Sequence, residues 1–119
     1  MFFISVLKWK HKGVLVFDGA PPSVWTDFDL SSVVGKRHAL VMLKIDNISS
    51  GTDNYYLRTN GETQHVAKTI NEAGGNNIVS NTAGNIANMV VETDANGIIE
   101  WYADSMPGEE AKVYVMGCL

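Results

Sequence analysis

Asp27 and Asp29 flank Phe28, so in an extended strand both carboxylates point to the same side, as a bound cation or an acid–base pair would require. No third ligand follows at calcium-loop spacing, and the pair reads as turn capping or solvated surface. Asp94-Ala95-Asn96-Gly97 resembles a fragment of a calcium loop, but Ser105 stands where the closing bidentate Glu belongs. That run reads as a turn, with Asn-Gly supplying positive φ to a hairpin or an adjacent bulge. His11, His38 and His65 lie far apart and read as surface or strand-edge histidines rather than a metal site. Gly35-Lys36 looks like the end of a phosphate loop, yet Leu30 replaces its first glycine and Arg37 its Ser/Thr. G-x-S-x-G, G-x-G-x-x-G and H-E-x-x-H are all missing from the sequence. The chain is therefore expected not to be an enzyme and to carry no cofactor or metal. A hydrolase whose groups converge only on folding is the outlying alternative.

Aromatic residues next to Asn and Asp suggest a second chemistry, the stacking of a flat ring on a sugar with hydroxyls bound at its rim. Trp25, Asp27, Tyr55 and Tyr56 are the candidate glycan contacts. Trp25 sits beside Pro21-Pro22 and is the most plausible exposed ring. Tyr55 and Tyr56 are adjacent in a strand, so one of them faces outward. Trp101 shares a strand face with Ile99 and Ala103 and reads as core. Asn47-Ile48-Ser49 matches a glycosylation acceptor, a pattern too short to carry weight without a secretion signal.

The elements that position these residues are strands. Period-two alternation bounded by Gly, Pro, Asn and Asp recurs along the chain. The apolar run 14–17 ends at Asp18-Gly19, and Pro21-Pro22 leads through a loop or edge segment to Asp27-Phe28-Asp29-Leu30. In residues 38–45, Ala39, Val41, Leu43 and Ile45 line one face while Leu40 and Met42 occupy the other. Apolar groups on both faces imply a central strand covered on each side, by a second sheet and by a loop or another subunit. Further strands are expected at 55–59, 89–93, 98–103 and 113–116. Residues 62–70 are ambiguous between helix and strand. Residues 71–88, with six asparagines, are expected to be the longest irregular stretch and to make contacts at a rim or tip. Seven to eight short strands favour an all-β fold, an antiparallel β-sandwich of jelly-roll type.

The 119 residues suit one domain, with 45% hydrophobic and 18% charged residues. A net charge of −4 argues against nucleic-acid binding through a broad basic surface. Residues 1–12 contain Lys8, Lys10 and Lys12 and no acid, whereas the rest sets six basic against thirteen acidic groups. The organisation expected is an apolar and basic arm or edge strand at 1–12 and a sandwich at 13–119. Met1-Phe2-Phe3-Ile4-Ser5-Val6-Leu7 lacks the preceding basic region of a signal peptide and reads as mature protein. No apolar run reaches the roughly 18 residues of a membrane span, so no membrane insertion is expected. Cys118 is the single cysteine, which rules out an intramolecular disulfide and a Cys-based zinc cluster.

The runs Trp25-Thr26-Asp27-Phe28-Asp29-Leu30-Ser31-Ser32-Val33-Val34-Gly35, Ala39-Leu40-Val41-Met42-Leu43-Lys44, Tyr56-Leu57-Arg58-Thr59-Asn60-Gly61 and Val91-Glu92-Thr93-Asp94-Ala95-Asn96-Gly97-Ile98-Ile99-Glu100-Trp101 resemble small β-sandwich virion proteins of phages and other microbial viruses. These include tail-fibre, receptor-binding and capsid-decoration proteins. The resemblance covers about residues 14–104 and rests on strand and turn patterns. It implies a virion component that forms homo-oligomers, commonly trimers, and binds a capsid or tail scaffold protein. The expected function is structural: capsid decoration or a fibre tip, located in the virion. A glycan-binding module that recognises a host surface is the alternative. Candidate residues for the oligomer or scaffold interface are Phe2, Phe3, Trp9, Leu40, Met42, Asn76 and Asn77.

Overall fold

The structure is a computed structural model, and it describes residues 8–48, 52–62, 77–82, 86–104 and 109–119. Among these residues eight strands follow in chain order: β1 (Lys8–Gly19), β2 (Thr26–Asp29), β3 (Leu40–Asn47), β4 (Thr52–Thr59), β5 (Asn77–Thr82), β6 (Ile86–Glu92), β7 (Ile98–Asp104) and β8 (Ala111–Cys118). One short helix, α1 (Ser31–Val34), lies between β2 and β3. The strands form two four-stranded sheets, ordered β1-β8-β3-β6 and β2-β7-β4-β5, with every pairing antiparallel. Chain crossings between two such sheets define the eight-stranded jelly roll, an all-β sandwich of two Greek keys.

The alternation of apolar residues determines what lies between the sheets. Ala39, Val41, Leu43 and Ile45 of the β3 segment are buried, as are Val113 and Val115 of β8 and Met89 and Val91 of β6. Tyr55, Leu57, Ile99, Trp101 and Ala103 face them from the second sheet. Trp101 is the aromatic centre, in edge contact with Phe17 at 4.7 Å and tilted against Phe28 at 4.9 Å between ring centroids. β3 lies between β8 and β6, the central position that its two-sided apolar pattern requires.

Two sequence expectations are corrected. Residues 71–88 are not irregular throughout, because β5 and the start of β6 occupy 77–82 and 86–88. Asparagine is disfavoured in strands but tolerated on an edge, and among the described residues β5 pairs with β4 alone, with Ile78 and Val79 opposite Tyr56 and Tyr55. The segments on either side of Asn96-Gly97 do not form a hairpin. β6 pairs with β3 in one sheet and β7 with β2 and β4 in the other, so the turn bridges the sandwich. Each arm carries apolar residues on its inner face, Met89 and Val91 against Ile99 and Trp101, and packing them across the core buries both sets.

The turn itself is built as the sequence suggests. Asp94 accepts hydrogen bonds from the amides of Asn96 (2.8 Å) and Ile98 (3.0 Å) and from the Asn60 side chain (2.8 Å). Burial alone would raise its carboxyl pKa, but these three donors outweigh burial and hold it below the ordinary value. Gly97 has φ of 79°, and a Cβ there would lie 2.4 Å from the Gly35 carbonyl oxygen and 3.0 Å from Ser31 Cα. Only glycine combines that backbone angle with so close an approach to α1. Thr93 closes the same end, donating to the Arg37 carbonyl at 2.8 Å and accepting from the Ala39 amide at 2.9 Å.

Candidate interaction surfaces

With the inner faces consumed by the core, binding chemistry must lie on the outer faces, the edges or the ends. The outer face of the β1-β8-β3-β6 sheet is apolar at one end. Leu40 is 43% exposed and Val90 41%, each several times more open than its inward neighbours. Together with Met42 and Leu119 they line a concavity of about 140 Å³ that contains no polar lining residue. Leu119 is fixed there by reciprocal backbone bonds with Leu40, 2.8 and 3.2 Å long, and Arg37 Nη1 donates to the Leu119 carbonyl at 3.0 Å.

The ladders place these groups in rows. Met42 is opposite Val90 on one side and Gly117 on the other, and Gly117 is opposite Trp9. Trp9, Gly117, Met42 and Val90 therefore form one row across all four strands, with Leu119, Leu40 and Glu92 in the next. Behind this row Lys44 Nζ sits 4.3 Å from the centroid of the Tyr114 ring, a cation–π pair that begins the polar part of the face. Gly13, with φ of 75°, lets the irregular part of β1 cross Tyr114 and Met116; a Cβ there would meet Met116 Sδ at 2.7 Å.

The outer face of the β2-β7-β4-β5 sheet holds an aromatic and ionic cluster. Tyr56 stacks on Tyr102 with centroids 4.4 Å apart and planes 4° from parallel, and Trp25 meets Tyr102 edge-on at 4.8 Å. The Arg58 guanidinium lies 3.9 Å from the Trp25 ring centre and donates to Glu100 Oε2 at 2.8 Å, while Glu100 Oε1 accepts from the Gly61 amide at 2.7 Å. Burial pushes the Glu100 carboxyl up, but the Gly61 amide and Arg58 outweigh it and lower the pKa. Burial, with Tyr56 and Asp104 nearby, raises the Tyr102 phenol.

The candidate glycan contacts are separated by this arrangement. Tyr55 is corrected from surface to core: it is fully buried between the sheets, out of reach of a surface ligand. Tyr56 takes the outer face, as adjacency demands, but is 4% exposed beneath its neighbours. Trp25 is half-buried with Arg58 over its ring. Asp27 is exposed, and Asp29 accepts a 2.9 Å bond from the Ser31 amide two residues on, an Asx-type turn leading into α1. Among the described residues there is no group of three His, Cys, Asp or Glu placed to hold a metal.

Of the candidate interface residues, Leu40 and Met42 lie on the apolar outer face, Trp9 occupies β1 in the row of Met42, and Asn77 opens β5 opposite Leu57. Phe2, Phe3 and Asn76 lie outside the described residues, as does most of the ambiguous stretch 62–70. Sequence reading missed Leu119, because its place beside Leu40 depends on a pairing 79 positions away in the chain. It missed Arg58, Glu100 and Tyr102 for the same reason, although opposite charges at outward positions of two strands were a usable signal. No family model, curated protein or solved structure matches the chain.

Proposed function

We propose that this chain is an assembly protein, a structural component of a virus particle that forms homo-oligomers and attaches to a larger scaffold through the outer face of its β1-β8-β3-β6 sheet. One observation carries the reading: a wholly apolar concavity of Leu40, Met42, Val90 and Leu119 lies on the open side of a sheet whose other side already supplies the core. An exposed apolar patch on a small domain is costly unless another surface covers it. The jelly roll adds support at the level of fold, since the same two-sheet architecture serves capsid and lectin domains. Support for the glycan-binding alternative is narrower, because Arg58 lies over Trp25 and both tyrosines are buried. The test is to purify particles from the native source and count copies of this chain. Many copies per particle, lost on Leu40→Asp, are the expected result. Particles that lack the chain, or glycan binding abolished by Trp25→Ala with unchanged particles, would overturn the proposal.

A further inference from the structure

We propose that the outer face of the β1-β8-β3-β6 sheet packs on the same face of a second copy about a two-fold axis parallel to its strands, an inference that rests on the oligomeric reading above. Among the described residues, five of the seven exposed large apolar side chains, Leu15, Leu40, Ile86, Val90 and Leu119, lie on this face. The apolar surface therefore runs beyond the concavity, from Leu15 on β1 to Ile86 on β6. Area decides how much of it must be covered. Four strands about 4.8 Å apart, each about seven residues long at about 3.3 Å per residue, make a face of about 19 by 23 Å. Two whole faces remove about 900 Å² before side-chain relief is counted, against the roughly 1,000 Å² that a specific interface needs; the apolar end alone supplies about half of that. Whole faces must meet.

Charge then selects the axis. The midline of the sheet runs between β8 and β3. A two-fold parallel to the strands exchanges β3 with the partner's β8 and keeps each ladder row at its own level, as in aligned sheet packing. Residues opposite each other within the sheet then meet between copies: Leu40 faces the partner's Leu119, Lys44 the partner's Tyr114 and Asp46 the partner's Lys112. Among the described residues neither Asp46 nor Lys112 forms an ion pair within its own chain, and the symmetry presents the opposite charges twice. A two-fold across the strands would instead lay the Leu40 end over the Asp46 end and set apolar groups on charge. Electrostatic matching of this kind fixes register, while the apolar residues supply the area.

The experiment uses the full chain. Light and heavy isotopic preparations are refolded together and treated with a carbodiimide, which joins a carboxylate to an amine in direct contact, and the linked peptides are identified by mass spectrometry. Amide links between Asp46 and Lys112 that join light to heavy chains are expected. In light scattering, Asp46→Lys or Lys112→Asp alone should weaken association at least tenfold with the circular dichroism spectrum unchanged. An equimolar mixture of the two variants should restore it, because every contact between positions 46 and 112 again joins opposite charges. Should either variant misfold, the wild-type link decides alone. Links confined to one isotope, links between chains at other residues only, or a mixture that associates no better than its parts overturns the inference and leaves the assembly reading standing. A wild type that stays at the 13.0 kDa of a monomer in the same samples overturns the oligomeric reading as well.

Discussion

Replacing Arg58 with methionine tests the ionic cluster that holds the outer face of the second sheet. Arg58 and Glu100 side chains are 8% and 13% exposed, so their 2.8 Å bond is largely removed from water. Arg58→Met leaves the Glu100 carboxylate buried with the Gly61 amide as its remaining partner, and breaking such a pair costs about 3–5 kcal/mol. Loss of the guanidinium over Trp25 adds about 1 kcal/mol. In the double variant Arg58→Met/Glu100→Gln no charge is buried and the Gly61 amide keeps an acceptor. Its loss should therefore be smaller than that of Arg58→Met alone, by about 1–3 kcal/mol. Urea unfolding followed by tryptophan fluorescence and circular dichroism at pH 7 measures the wild type, the Arg58→Met and Glu100→Gln single variants and the double variant. The acid limb supplies an internal check. Because the folded state lowers the Glu100 pKa, its contribution is complete above the ordinary value of 4.5 and is lost as pH falls through the folded value. Wild type should lose this stability on acidification below about pH 4.5, and Glu100→Gln should lack that component. If the double variant is destabilised by the sum of the two single losses, or Arg58→Met costs under about 1 kcal/mol, the cluster is not a buried pair and the reasoning fails.

Gly97→Ala should cost about 2–4 kcal/mol, combining left-handed backbone strain with a Cβ placed 2.4 Å from the Gly35 carbonyl; thermal unfolding checks it, and a loss below about 1 kcal/mol would contradict the turn geometry. Trp101→Ala should cost about 3–5 kcal/mol in urea titration, because the ring fills the space between Phe17 and Phe28. Asp94→Ala removes an acceptor from three donors and should cost about 1–2 kcal/mol at pH 7. That difference should shrink as pH falls through the lowered Asp94 pKa, because the protonated acid is a poorer acceptor; a difference independent of pH would refute the assignment.

Much of the sandwich was legible because alternation directly reports which residues a sheet must hide. Val41, Leu43 and Ile45 on one face of β3, continued by Ala39 just before it, with Leu40 and Met42 on the other, define both its central place and its apolar outer side. The Asn-rich stretch misled because asparagine weighs against a strand in propensity, whereas a strand with one neighbour can carry it. The Asn96-Gly97 turn was recognised, but a turn fixes local backbone geometry and leaves partner choice to the core, and here the core drew β6 and β7 into different sheets. Tyr55 and Tyr56 show the same limit. Adjacency required one to face inward, and only the register of β4 against β7 decided which. The apolar concavity was half visible: Leu40 and Met42 are local in sequence, whereas Val90 and Leu119 reach them through ladder pairing.

The central claim, assembly through the outer face of the β1-β8-β3-β6 sheet, is tested most directly by the molar mass of the full chain in solution. Light scattering from low to tens of micromolar should give an integer multiple of 13.0 kDa for the wild type. Leu40→Asp, at a position 43% exposed and outside the core, should remain folded by circular dichroism yet fall to the monomer mass. A wild type that stays monomeric across that range, or a Leu40→Asp variant that keeps the full oligomer mass, would contradict the account.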